Sequence, residues 1–105
     1  MPSANLLTRQ IIKHIFDQGG FAWRASSVGI FDRTKGIYRT APKKGVADVL
    51  GCYNSKLIAI EIKIGKDRLS LEQEGFLASV NHAGGLQFVA KDFPSFLLWW
   101  QKNVV

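Results

Sequence analysis

A chain of 105 residues, 47% of them hydrophobic, has room for one domain with a modest core, and residues 1–105 are expected to form that single unit. Its net charge of +6 and pI near 9.8 point to polyanionic partners, either nucleic acid or an anionic membrane surface. No apolar run reaches the roughly 18 residues that span a bilayer, and MPSANLLTRQ carries no signal-peptide apolar stretch, so a soluble cytoplasmic protein without a membrane partner is expected.

In residues 5–18, Leu7, Ile11, Ile12, Ile15 and Phe16 recur at helical spacing and Gly19-Gly20 closes the run, which predicts a first amphipathic helix. FAWRASSV, residues 21–28, reads as a strand, and residues 29–39 as a ragged strand or a long loop containing Gly36. Arg33, Lys35, Arg39, Lys43 and Lys44 lie in a stretch with no acidic residue that runs straight into the next strand. Such a stretch suits capture of a phosphate backbone, and it also suits a solvated loop.

The run KGVADVLGCYNSKLIAIEIKIGK reads as two strands joined at Asn54-Ser55, with β propensity from Val46, Val49, Ile58, Ile60, Ile62 and Ile64. With the turn centred between 54 and 55, Asp48 falls directly opposite Glu61. Like charges so opposed, with Cβ atoms about 4.5–5.5 Å apart, repel unless something positive sits between them. Strand side chains alternate, so Lys63 shares a side with Glu61, while the four isoleucines line the other side and pin the register by their burial. Two carboxylates converging at that distance suit a hard divalent cation. The nearby ammonium suits a phosphate, a nucleophilic water, or charge developing on a phosphate oxygen. Metal-dependent phosphodiester hydrolysis needs these groups. The same pattern also fits an exposed edge hairpin whose polar face meets solvent.

Cys52, the single cysteine, has no partner for an internal disulfide or a zinc knuckle and reads as a small strand residue. Farther on, Ser70-Leu71-Glu72-Gln73 fits a capping box opening the helix EQEGFLASVNH, which Gly84-Gly85 terminates. Residues 86–90 form a short apolar strand, and Pro94 opens a last helix, SFLLWWQKN. Phe96, Leu97, Trp99 and Trp100 give that helix more apolar surface than one buried face requires, which suggests a homodimer. His14 and His82 have no metal-ligand spacing to each other. The predicted order is αβββαβα.

Asp48, then Glu61-Ile62-Lys63, then a helix opening with Gln73, resembles the PD-(D/E)xK nuclease superfamily. The wording KGVADVLG, IAIEIK, RLSLEQEGFL and HAGGLQFVA is similar to its small VRR-NUC family across roughly residues 45–91. That resemblance implies an α/β restriction-endonuclease-like core, a mixed central sheet flanked by helices. It implies that Asp48, Glu61 and the backbone carbonyl of Ile62 ligate Mg²⁺ or Mn²⁺, and that Lys63 orients the attacking water or stabilises the pentavalent phosphate charge. Gln73 would touch a metal-bound water or the scissile phosphate. Its competing role is the capping box itself, and one side chain seldom serves both.

The chain departs from the family pattern at two points. Many members carry an acid on the first helix that reaches the metal, where Arg9 or Gln10 stands here, and Gln10 is left to bind a metal-held water. Ala47 replaces the usual proline before the first aspartate. The resemblance implies a Mg²⁺- or Mn²⁺-dependent DNA endonuclease that acts as a homodimer on branched DNA, like a Holliday-junction resolvase, in a bacterial cell or a phage-infected host. Arg39, Lys43 and Lys44 would hold the backbone, with Arg33 and Lys35 beside them. The alternative is a nuclease-derived module that binds nucleic acid without cutting it.

Overall fold

In the computed structural model, which describes residues 3–25, 30–32, 34–39 and 45–105, the chain enters helix α1, Ala4–Asp17. The Ser3 hydroxyl caps this helix by accepting the Leu6 N–H at 3.0 Å. Leu7, Ile11 and Ile15, one face of the 3.6-residue period, are fully buried. Strand β1, Phe21–Arg24, follows, and the Arg24 guanidinium donates back to the Asn5 side chain at 3.1 Å, tying the strand to the start of α1. This strand is shorter than expected. Ala25 leaves the ladder, although its N–H still donates to the Asp48 carbonyl at 2.9 Å, and residues 26–29 lie outside the described set.

Strands β2, Ile30–Asp32, and β3, Ile37–Arg39, pair antiparallel as a separate two-stranded sheet. Gly36 takes φ +68° between them, so the region read as a ragged strand or loop holds a short hairpin. Strands β4, Val49–Tyr53, and β5, Lys56–Ile62, form the predicted hairpin in the predicted register, Val49 opposite Ile60 and Tyr53 opposite Lys56. Asn54 and Ser55 take φ values of +52° and +68°, and two successive positive values are what a two-residue turn matching the twist of its strands requires.

Helix α2, Leu71–His82, strand β6, Leu86–Ala90, and helix α3, Phe93–Asn103, complete the chain. The main sheet runs β1-β4-β5-β6, with β6 parallel to β5 and the other pairs antiparallel. Apart from the β2–β3 hairpin, the elements follow the predicted αβββαβα order.

Helices cover both faces of this sheet. On one, Ile58, Ile60 and Ile62 pack with α1 and with Phe96 and Trp100 of α3. Each fully buried aliphatic or phenyl side chain there contributes about 1.5–3 kcal/mol. On the other, Ala47 and Ala59 lie under Leu77 and Val80 of α2, the small alanines letting the helix come close. An exposed edge hairpin is therefore excluded, since β5 is internal and its carboxylate face lies beneath α2.

The tryptophans of α3 serve the monomer core. Trp100 is 2% exposed, and Trp99 stacks on Phe88 with ring centroids 5.0 Å apart. Leu98 is the one large apolar residue of α3 left exposed, so the apolar surplus read from the sequence is used mostly within the chain. Among the described residues, no helix is long and apolar enough to cross a membrane.

Candidate active site

Asp48 occupies the bend immediately before β4. Its Oδ2 accepts the Ile62 N–H at 2.7 Å, so a side chain takes over as acceptor where the backbone pairing of the hairpin stops. This short charge-assisted bond fixes the carboxylate beside the C-terminal end of β5. The approach to Asp48 is fixed by Gly45. That glycine has φ +80°, and a Cβ there would lie 2.3 Å from the Glu72 carbonyl oxygen, so the chain passes flush against the first turn of α2.

Glu61, across the hairpin from Asp48, is 1% exposed. Its Oε1 accepts from Gln73 Nε2 at 3.2 Å, whereas Oε2 is buried without a hydrogen-bond partner. Burial first, then hydrogen bonding to Asp48 and its negative charge, push the Glu61 pKa up to about 8, with Lys63 opposing in part. Two ionised carboxylates are acceptors only, so Oε2 finds a partner either through a proton shared with Asp48 or through a cation. An orphaned buried oxygen facing a second carboxylate, one residue before the Ile62 carbonyl, is a donor set that fits a hard divalent ion.

Gln73 completes the capping box and also reaches Glu61. Its Oε1 accepts the Ser70 N–H at 2.9 Å and its own N–H donates to the Ser70 hydroxyl at 3.1 Å, which completes a capping box. Meanwhile Nε2 reaches Glu61. An amide has an acceptor and a donor group that point apart, so the cap takes one and the carboxylate the other.

Lys63 follows β5, its N–H donating to the Ala90 carbonyl at 3.0 Å. It lines an open cleft of about 920 Å³ together with Lys66, Arg68, Glu74 and Lys91. Sequence reading missed these cleft residues, because their proximity depends on β6 lying parallel beside β5. The available signal was that a lysine directly follows each strand, in IEIK and FVAK.

Gln10 is not brought to this site. Helix α1 packs on the isoleucine face, and Gln10 lines a groove of about 350 Å³ with His14, Phe93 and Leu97, on the other side of the sheet from Glu61. The ligand role suggested for Gln10 does not follow from this placement. His14 lies edge-on to Phe93, Phe96 and Trp100, and loss of hydration lowers its pKa. Among the described residues, no three His, Cys, Asp or Glu side chains gather to hold a metal. Of the basic residues expected on the DNA backbone, Lys35 is exposed in the β2–β3 turn and Arg39 ends β3. Arg33, Lys43 and Lys44 lie outside the described residues.

No protein-family model matches the sequence, and no curated protein matches it. Among solved structures, the chain is similar to Hjc, a Holliday junction resolvase from the archaeal hyperthermophile Archaeoglobus fulgidus, with a TM-score of 0.56 and 21% identity over 84% of this chain and 67% of that one. The likeness is one of fold: a mixed four-stranded sheet flanked by helices. The α/β architecture expected from the sequence, a mixed central sheet flanked by helices, is the architecture observed.

Proposed function

We propose that this chain is a metal-dependent DNA endonuclease of VRR-NUC type that cuts branched DNA in the manner of a Holliday-junction resolvase. The observation that carries this reading is buried Glu61, with its unpartnered Oε2 set against Asp48 and with Lys63 at the mouth of the adjoining cleft. The name of its structural neighbour, a Holliday junction resolvase, supports the same reading. Asp48, Glu61 and the Ile62 carbonyl would hold Mg²⁺ or Mn²⁺, which when bound supplies Lewis-acid stabilisation of phosphate oxygens and a water of lowered pKa. Ile62 N–H orients Asp48, and Gln73, itself anchored to Ser70, orients Glu61. Lys63 places a positive charge toward the scissile phosphate or the attacking water. Arg33, Lys35, Arg39, Lys43 and Lys44 would add backbone contacts, and the setting would be the cytoplasm of a bacterial or phage-infected cell.

Homodimer formation belongs to the proposal because two sites related by a two-fold axis suit paired cuts in a four-way junction. Edge strand β1 offers the surface for it. Phe21 and Trp23 are 51% and 46% exposed there and stack on each other with centroids 5.8 Å apart.

A second reading, a module that binds nucleic acid without cutting it, is favoured by one observation: two carboxylates rather than three meet at the site among the described residues. Labelled four-way junction, flap and linear duplex, each incubated with the protein in Mg²⁺, Mn²⁺ or EDTA, separate the two. Paired symmetric junction cuts that disappear in EDTA are expected. Junction binding with no cuts in either metal would give the answer to the binding module, and cuts confined to the flap would argue against the dimeric resolvase.

A further inference from the structure

We infer that the cleft beyond Lys63 is a track for the phosphates next to the scissile linkage, held by Lys66, Arg68 and Lys91. The inference rests on the nuclease reading and adds DNA-binding residues beyond the basic ones between 33 and 44.

Its basis is the parallel pairing of β5 and β6. Ile62 lies beside Ala90, so the residues that follow, Lys63 and Lys91, leave adjacent strands side by side. Both stand beyond the carboxyl ends of their strands, where open α/β sheets bind ligands. Two ammonium groups so placed repel each other unless an anion lies between them. Gly65, at φ +65°, turns the following loop so that Lys66 and Arg68 line the same opening.

Four cations therefore face two carboxylates, Asp67 and Glu74, and the cleft keeps a positive excess. Among the described residues, none of the four is in an ion pair. Lys66, Arg68 and Lys91 are exposed, so the core does not depend on them. Their spread along an open cleft of about 920 Å³ suits an extended polyanion rather than one small anion in a closed cradle. Such side chains position a backbone without reading its sequence.

The test is anisotropy titration of four-way junction and linear duplex in EDTA across a NaCl series. It compares the wild type with Lys66→Ala/Arg68→Ala and Lys91→Ala, with thermal melting to verify folding. The expected result is weaker binding of both DNAs and a slope of log Kd against log salt reduced by roughly one for each phosphate that is no longer neutralised. Folded variants that match the wild type in affinity and slope would overturn the inference and leave the nuclease reading standing. Binding of DNA by none of the proteins would sink both. DNA displacement by inorganic phosphate far beyond that by chloride at equal ionic strength would reassign the cleft to a free anion and overturn the backbone track.

Discussion

Ionising Glu61 places a second negative charge in a buried position beside Asp48. Its pKa is raised from 4.5 to about 8, so the folded protein keeps a proton that the unfolded chain releases. The stability from that proton is fully present below about pH 4.5 and is lost as pH rises through about 8. Urea unfolding of the metal-free protein should therefore become easier across that interval and level off above it, and Glu61→Gln should flatten the profile. A divalent ion offsets the two charges, so Mg²⁺ should raise the melting temperature most on the alkaline side. At Gln73 the two roles can be separated. Gln73→Glu keeps a residue fit for the capping box but sets a carboxylate against Glu61, whereas Gln73→Ala removes both interactions and should cost about 1–3 kcal/mol in urea unfolding. The Glu variant should approach wild-type stability at acid pH and fall below it as the pH rises past about 8, where Glu61 loses its proton. Asp48, Glu61 and Lys63 were legible from spacing because a two-residue turn fixes a hairpin register locally. Gln73's reach to Glu61 was not, since it depends on where packing sets α2 over the sheet.

At the scale of elements, local chemistry carried the reading and long-range packing limited it. The β4–β5 hairpin, the α2 cap and the glycine stops were visible in the residues themselves. The cover of α2 over Ala47 and Ala59 was hidden, because alternation alone cannot distinguish a solvated polar face from a polar patch under a helix. The passage of the chain under α2 gives a sharp prediction. Gly45→Ala combines a strained φ of +80° with a Cβ that would lie 2.3 Å from a backbone carbonyl oxygen, and it should lower stability by about 2–4 kcal/mol in denaturant unfolding. Trp100, which the sequence left between core and subunit interface, is core, and Trp100→Ala should cost about 3–5 kcal/mol by the same measurement.

Across the whole molecule, charge and topology meet at one end of the sheet. The net +6 was legible from composition, whereas the place where part of it gathers, at the C-terminal ends of two parallel strands, required the fold. The surface proposed for a dimer likewise lies not on α3, whose aromatics fill the core, but on the exposed Phe21–Trp23 stack of β1. Trp23→Ala should shift the sedimentation of the wild-type species toward that of a monomer, and unchanged sedimentation would remove β1 from the interface. The claim that joins these scales is that Asp48 and Lys63 act on a phosphodiester. Single-turnover cleavage of a labelled four-way junction in Mn²⁺ tests it most directly, with the wild type beside Asp48→Asn and Lys63→Ala. Rates at least about 100-fold lower in each variant, with junction binding retained, are expected. Cutting at the wild-type rate by either folded variant would contradict the assignment.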